Sequence, residues 1–347
     1  MRTHNDVFLA ENVDEIDLIL GGHDHVYDVK EINGRYIVKS GTDFREFSKI
    51  DIKIPVNLPI QIEIEEQEVT SNIKEDENLS KVLEKYYEMM EVQMGVVIAN
   101  LACDLDGRFS SIRTTETNLG NFISDIILDA AHDADFALIN SGTLRSDRIH
   151  RKGPLTMRDV FTILPFMESI LILNLTGKQV CLALENSVSK YPCLEGRFAQ
   201  VSGISFTFDP LKPPGSRVLI DTIQIRDQPL DLSKTYRAVV KEFISQGKDG
   251  YDVFKECSVF KNTEECMPIT TAITQYFEAA RILYSKNILQ NYIIDGMPTF
   301  GHVQHPRQSD SILGMFSKID RTGLDIDNLP IITFTPVIEG RITILKY

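Results

Sequence analysis

The sequence predicts a mixed α/β protein, because strand signals and helix signals alternate along most of its length. After residue 95, short β-branched runs alternate with longer stretches whose apolar residues recur at helical spacing. Before residue 72, short strand signals are separated by turn residues. This change of pattern predicts two domains, residues 1–71 and 96–347, joined by an interdomain helix or linker over residues 72–95.

The first domain is predicted to consist of short strands, and the linker is predicted to be helical. In Ile73–Gln93 the apolar residues recur at helical spacing, while the opposite face is acidic and is expected to be solvated. The predicted strands are Ile16–Leu20, Tyr36–Lys39, Phe47–Ile54 and Ile60–Glu65.

The second domain contains the clearest alternation of strands and helices. Residues 287–328 are rich in Gly, Pro and Asp and are predicted to form a surface excursion before the last strand. The predicted strands are Val96–Leu101, Phe136–Asn140, Ile170–Leu175, Val218–Ile225 and Gly340–Leu345, and the predicted helices are Gly120–Ala131, Met157–Thr162, Gly177–Lys190 and Thr270–Tyr284.

Charge and composition narrow the classes of partner. The formal net charge of −14 argues against binding to a nucleic-acid backbone, although a local arginine cluster could still bind an anionic small molecule. No apolar stretch is long enough to span a bilayer, so no membrane contact is expected. The five cysteines lack CxxC spacing and are odd in number, which favours free thiols and a cytoplasmic location.

The segment Gly21-Gly22-His23-Asp24-His25 directly follows a predicted strand. Two glycines after a β-branched run indicate a tight turn, which places two imidazoles at the carboxyl end of the strand. Neutral imidazole is a favoured ligand for first-row divalent metals. Two ligands do not complete a metal site, so either the others lie downstream or part of the protein is missing.

Five polar motifs occur in order in the second domain. They are Arg113-Thr-Thr-Glu-Thr-Asn-Leu-Gly-Asn121, Asn140-Ser-Gly-Thr-Leu-Arg145, Ile163-Leu-Pro-Phe166, Gly196–Gly203 and Phe243–Tyr251. Together with the Gly-Gly-His-Asp-His segment, they resemble the 5′-nucleotidase family of dinuclear metallophosphoesterases. The resemblance covers nearly the whole chain except residues 287–328. It implies a remnant of a four-layer calcineurin-like β-sandwich, joined by a helix to a 5′-nucleotidase C-terminal domain.

The resemblance assigns metal binding to the first domain. It implies that His23 and His25 are the last two ligands, one for each of two divalent ions such as Zn²⁺, Mn²⁺ or Mg²⁺. The family's Asp-x-His, Gly-Asp and Gly-Asn-His-Glu elements do not occur in this sequence. We therefore expect an N-terminally truncated chain with a partial metal site, inactive or weak alone. His4 is out of register with the family's ligand and is expected to be a solvated helix residue.

The resemblance assigns substrate binding to the second domain. It implies that Arg113, Asn140 and Arg145 hold polar groups of the substrate, and that Asp249 accepts from ribose hydroxyls. The alternative interpretations are a surface salt bridge for Arg145 and a simple turn residue for Asp249.

Two phenylalanines are implied to sandwich the base. Phe166 and Phe243 could stack on its two faces, since stacking contributes about 1–3 kcal/mol per base. The alternative is that both lie in the core, as most phenylalanines do. Phe198 and Phe206 are assigned to packing.

The function that follows is hydrolysis of nucleoside 5′-monophosphates by a metal-dependent phosphomonoesterase. One alternative is a sugar-phosphate phosphatase, because Asn140-Ser-Gly-Thr-Leu-Arg145 departs from the Asn-Gly-Gly-Gly-Ile-Arg typical of nucleotidases. The variant resembles a cytosolic-looking branch that includes mannosylglucosyl-phosphoglycerate phosphatases. A second alternative is a nucleotide-binding module without catalysis. The sequence leaves the oligomeric state open.

Overall fold

The computed structural model is a mixed α/β protein, which confirms the predicted fold class. It describes residues 3–56, 58–286, 293–294, 297–300, 312–313, 317 and 329–346. The chain divides into two compact units, Met1–Tyr87 and Glu88–Tyr347. The excursion predicted over residues 287–328 lies almost wholly outside the described residues.

The first unit contains a helix, a three-stranded sheet and a separate hairpin. In the sheet, the middle strand β3 pairs in parallel with β1 and antiparallel with β2. A small core of Ala10, Ile19 and Ile37 lies between the helix and the sheet. The elements are α1 (Thr3–Asn12), β1 (Leu18–Gly21), β2 (Tyr27–Ile32), β3 (Arg35–Ser40), β4 (Glu46–Lys53) and β5 (Gln61–Glu68), and β4 pairs with β5.

Strand β2 was missing from the sequence-based prediction, although the sequence carries a signal for it. Asn33 and Gly34, between β2 and β3, both have positive φ, at 50° and 76°. An Asn-Gly pair with this geometry matches the right-handed twist of the strands in a two-residue hairpin. The dipeptide therefore specifies the β2–β3 hairpin.

The helix predicted over Ile73–Gln93 is present as α2 (Glu77–Met94), and none of its side chains is buried. The boundary between the two compact units falls within this helix. None of the helices in the described ranges combines the length and apolar character that a membrane crossing requires.

The second unit carries most of the chain. Its strands are β6 (Val97–Leu101), β7 (Leu105–Asp106), β8 (Phe136–Asn140), β9 (Ile149–His150), β10 (Gly153–Thr156), β11 (Ile170–Thr176), β12 (Ala199–Ser202), β13 (Ile204–Phe208), β14 (Gln224–Ile225), β15 (Gln228–Pro229), β16 (Thr235–Lys241), β17 (Ser258–Lys261), β18 (Ile293–Ile294), β19 (Met297–Phe300), β20 (Thr333–Phe334) and β21 (Ile342–Ile344). Its helices are α3 (Phe109–Ile112), α4 (Asn118–Ala130), α5 (Met157–Ile163), α6 (Gly177–Val188), α7 (Glu242–Ser245) and α8 (Ile269–Ser285).

A five-stranded sheet in the order β12-β8-β16-β11-β17 organises this unit. Strands β8 and β16 are parallel, so their carboxyl ends lie at the same edge. Antiparallel β12 and β11 begin at that edge, because Ala199 lies opposite Asn140 and Ile170 lies opposite Lys241. Side chains at these four strand ends can therefore meet.

The inner strands of the sheet are buried on both faces, whereas the edge strand β17 is largely exposed. Ala137 and Ile139 of β8 belong to a core that includes α4 and α8, whereas Phe136 and Leu138 belong to a second core with α6. All five β8 residues are buried. A continuous apolar run is typical of a strand that is covered on both faces.

The predicted strand Val218–Ile225 is wrong. Val218 forms only an isolated bridge with Phe208, residues Ile220–Thr222 form a 3₁₀ turn, and pairing resumes at Gln224. The hydroxyl of Thr222 donates to the Leu219 carbonyl at 2.6 Å and accepts from the Thr207 amide at 2.9 Å. These local hydrogen bonds replace the strand-to-strand hydrogen bonds that the apolar pattern of residues 218–225 predicted.

A buried carboxylate attaches the last strand to the rest of the unit. Glu116 is 5% exposed, and its Oε1 accepts from Asn121 Nδ2 at 2.6 Å and from the Glu339 amide at 2.7 Å. Its Oε2 accepts from the Ile342 amide at 3.2 Å. Strand β21 then pairs in parallel with β13.

We predict that Glu116→Gln destabilises this unit. The substitution keeps the shape but replaces one acceptor oxygen by a donor, which would face a backbone N–H in the buried site. The expected loss in free energy of unfolding is about 1–3 kcal/mol, measured by urea denaturation. Glu264→Gln, at an exposed position in the same unit, is the matched control. Equal denaturation midpoints for the two variants would contradict this role for Glu116.

Candidate functional site

The two predicted metal-binding histidines lie on an exposed turn after β1. His23 and His25 have positive φ values of 79° and 54°, which L-residues seldom adopt. Both side chains are exposed, whereas Asp24 between them is partly buried. The turn thus presents two imidazoles to solvent and directs the intervening carboxylate inward.

A buried lysine holds the turn in this conformation. Lys39 Nζ lies 2.6 Å from Asp24 Oδ2 and 2.9 Å from Asp6 Oδ2, and it donates to the Gly22 carbonyl at 2.9 Å. Thr3 donates to the same Asp24 oxygen through its amide and its hydroxyl, each at 2.7 Å.

These bonds change the ionisation of both partners. The hydrogen bond from Lys39, followed by that from Thr3, lowers the pKa of Asp24 well below its usual value. Burial acts to lower the pKa of Lys39, but its bonds to Asp24 and Asp6 together raise it. The pair is therefore fully charged at neutral pH, which favours the turn.

The described residues do not complete a metal site around this turn. Among them, no group of three or more His, Cys, Asp or Glu side chains is placed to hold a metal ion. Exposed His23 and His25 are chemically suitable ligands, but two imidazoles do not fit a dinuclear centre by themselves. No reaction step through a metal is therefore derived from these residues.

The polar residues predicted in the second unit meet at the strand-end edge of the five-stranded sheet. Asn140 is 2% exposed, and its Nδ2 donates to Asp249 Oδ2 at 2.8 Å. Asp249 has a φ of 53°, and its carbonyl accepts from Asn186 Nδ2 at 3.1 Å. Two residues 109 positions apart are therefore in direct contact. One amide side chain holds the carboxylate of Asp249, and a second holds its backbone carbonyl.

Two arginines lie beside this pair over a shared aromatic ring. The Cζ atoms of Arg113 and Arg145 lie 3.7 Å and 5.9 Å from the centroid of the Phe109 ring. Burial, and then the nearby charge of Arg145, lowers the pKa of Arg113, while Asp249 acts in the opposite direction. Two guanidinium groups so close together favour an anion between them. Phe109 was not a predicted site residue.

The two predicted stacking residues are exposed. Phe166 is 55% exposed in the loop after α5, and Phe243 is 41% exposed in α7. The alternative that they are core residues is therefore wrong, whereas Phe198 and Phe206 are buried, as predicted. Neither exposed ring contacts another aromatic ring within the described chain.

One ion pair was not predicted from the sequence. Its residues, Glu168 and Lys241, lie between Phe166 and Phe243 along the chain. Lys241 is 3% exposed, and its ammonium contacts the carboxylate of Glu168. Burial lowers the pKa of Lys241, and Glu168 opposes this shift. A lysine at the end of an apolar strand resembles a surface residue in sequence, so only the register of β11 and β16 brings the pair together.

Two hydroxyls of the Asn140–Arg145 segment make internal contacts. The Ser141 hydroxyl donates to the Gly196 carbonyl at 3.2 Å, and the Thr143 hydroxyl donates to Asn140 Oδ1 at 2.8 Å. Both residues are buried. The two hydroxyls therefore brace the loop and orient Asn140.

This arrangement defines a class of protein: an α/β domain with a polar cluster at the strand-end edge of its central sheet. Binding sites in α/β proteins commonly form where parallel strands end. Here the candidate site combines the buried amide of Asn140, the partly buried carboxylate of Asp249, two arginines and two exposed rings. Such a set can hold a planar group together with hydroxyls and an anion.

Comparison with known proteins identifies the family. Residues 97–256 match the family model described as 5′-nucleotidase, C-terminal domain, and these residues belong to that family. The chain is 32% identical over 284 residues to a 5′-nucleotidase of Vibrio vulnificus, which covers 71% of this chain. It is 32% identical over 270 residues to a trifunctional nucleotide phosphoesterase of Bacillus subtilis, which covers 74% of this chain.

A solved structure shares the fold. The 5′-nucleotidase precursor of Thermus thermophilus aligns with a TM-score of 0.66 and 24% identity, covering 99% of this chain and 62% of that chain. This chain spans 49% of the Vibrio vulnificus protein and 18% of the Bacillus subtilis protein. It thus spans half or less of the length of these relatives.

We predict that Lys39→Met disrupts the histidine turn. The variant leaves Asp6, which is 1% exposed, as a buried charge without its partner. Removing one member of a buried ion pair typically costs about 3–5 kcal/mol. Urea unfolding would measure the stability of the first unit, and the NMR signals of His23 and His25 would report the turn.

Lys30→Met is the matched control, because Lys30 forms an exposed ion pair with Asp28 on the adjacent strand β2. The two variants are compared by their urea midpoints and histidine signals. Equal midpoints, with unchanged signals of His23 and His25 in Lys39→Met, would refute the role of Lys39 in holding the turn.

Proposed function

We propose that this chain binds nucleoside 5′-monophosphates and forms the substrate-binding part of a metal-dependent phosphomonoesterase of the 5′-nucleotidase type. The observation that carries the proposal is the strand-end cluster. The exposed rings of Phe166 and Phe243 and the hydrogen bond between Asn140 and Asp249 all occur within the segment that matches the 5′-nucleotidase C-terminal domain. The names of the relatives support the same class of substrate.

In the proposed complex, the two rings hold the base and the polar cluster holds the sugar. One oxygen of Asp249 accepts from Asn140, which leaves the other oxygen to accept from the two vicinal ribose hydroxyls. Asn140 keeps this carboxylate oriented, since its own oxygen is bound by Thr143. Asp249 is thereby preorganised for a diol.

The two arginines supply the positive charge of the site. Arg113 also donates to the Leu194 carbonyl at 3.0 Å, which fixes its guanidinium while its face lies over Phe109. A fixed guanidinium binds an anionic oxygen with a smaller loss of side-chain entropy. We assign Arg113 and Arg145 to anionic and carbonyl oxygens of the nucleotide.

We further propose that His23 and His25 contribute two ligands to a pair of divalent ions. Bound divalent ions supply phosphoryl polarisation and an activated water in this class of hydrolase. Because the described residues offer no third ligand, we expect little or no phosphatase activity from this chain alone.

The observations favour a nucleotide over a sugar phosphate. The hydroxyls of Ser141 and Thr143 donate internally and both residues are buried, so their donors are not available to extra sugar hydroxyls. Exposed rings suit a planar base.

The proposal includes a cytoplasmic location, which is supported by five unpaired cysteines, as expected in a reducing compartment.

The first test is calorimetric titration of the chain with adenosine and AMP, with and without Mn²⁺ and with EDTA. We expect both compounds to bind, and adenosine to bind equally well in EDTA, because the proposed nucleoside contacts involve no metal. Absence of binding by a folded chain would overturn the proposed function. Release of phosphate from AMP in the presence of Mn²⁺ would overturn the expected inactivity.

The second test removes the stacking rings. Phe166→Ala and Phe243→Ala should each weaken adenosine binding by about 1–3 kcal/mol, the usual contribution of one stacked base. Phe260→Ala is the matched control. The Phe260 ring, on β17, is also partly exposed, but it is covered by the guanidinium of Arg237 on β16. Affinities equal to that of the control would rule out base stacking and favour the sugar-phosphate alternative.

A further inference from the structure

Lys241 is a buried cation beside one of the proposed stacking rings. Its Nζ lies 5.2 Å from the centroid of the Phe243 ring, and the residue is 3% exposed. Its partner Glu168 is 25% exposed at the side chain, so the carboxylate faces solvent in part. The pair therefore extends from the protein interior to the surface at the site.

The ammonium group has unused donors. An ammonium carries three N–H donors, and among the described residues Glu168 is its only ion-pair or hydrogen-bond partner. A buried donor without an acceptor is costly. A ligand that brings an acceptor to this position would relieve that cost.

The chain geometry places the pair between the two segments that carry the rings. Glu168 follows Phe166 by two residues, and Lys241 precedes Phe243 by two residues. The adjoining strands are in register, with Ile170 opposite Lys241, and the Glu242 amide donates to the Ser169 carbonyl at 3.0 Å. A base held by both rings would therefore meet the ion pair along one edge.

We propose that Lys241 and Glu168 recognise the edge of the base and select 6-oxopurines, such as guanine and hypoxanthine, over adenine. This inference rests on the proposed function, in which Phe166 and Phe243 hold a base. Lys241 donates to O6 and N7, which are both acceptors in these bases, and Glu168 accepts from N1–H.

Adenine presents the opposite pattern of hydrogen-bond donors and acceptors at its 6-position and at N1. Its 6-amino group is a donor and would face the ammonium of Lys241, and its N1 is an acceptor and would face the carboxylate of Glu168. A site whose buried polar groups remain unpaired discriminates strongly against such a ligand. The ion pair thereby determines specificity, while the rings supply affinity for any base.

The test is calorimetric titration of the full chain with guanosine, inosine and adenosine. We expect the 6-oxopurine nucleosides to bind about tenfold more tightly than adenosine, as for one specific base contact. Lys241→Met should reduce this preference to about threefold or less by weakening guanosine and inosine, with adenosine nearly unchanged. The ligand comparison on the unmodified chain remains decisive even if the variant does not fold.

Lys261→Met is the matched control. Lys261 also forms an ion pair, with Asp133, in the same unit, and its loss should leave the preference intact. Equal affinities of the unmodified chain for the three nucleosides would overturn the inference and leave the proposed function standing. An equal loss for all three in Lys241→Met would show a positioning role and also overturn it. No binding of any nucleoside would overturn both.

Discussion

Burial of the inner strands of the central sheet on both faces is the constraint on which the site depends. Strand side chains alternate between two apolar cores, so polar groups on these strands can reach a ligand only where a strand ends. Parallel β8 and β16 end at one edge, and antiparallel β11 and β12 begin there. Asn140, Lys241 and Glu168 meet at that edge for this reason.

The two buried lysines show how the number of partners separates a structural role from a binding role. Lys39 contacts two carboxylates and a backbone carbonyl, which compensates its burial and holds the histidine turn. Lys241 contacts one carboxylate among the described residues and lies beside an exposed ring. Equal burial of the same side chain thus has different consequences, because unpaired donors in a protein interior favour a ligand that accepts from them.

The domain extends beyond the residues that match the family model. The match ends at residue 256, yet buried Glu116 binds the amides of Glu339 and Ile342. Arg341, 5% exposed, donates to the Val201 carbonyl at 2.8 Å and pairs with Asp125. Ile342 of the last strand therefore belongs to one of the cores that the matched segment forms. Arg341, directly before this strand, is compensated by nearby Glu339 and by Asp125, 216 residues earlier.

The sequence by itself determined the fold class, β8 to the residue, the main helices and the motifs that carry the family resemblance. Each of these depends on local periodicity or on short ordered patterns, which are present before the chain folds. Only the tertiary structure decided that Phe166 and Phe243 are exposed, that Phe109 supports two arginines, and that Glu168 pairs with Lys241. Burial and pairing depend on strand register between distant segments, and no local pattern encodes that register.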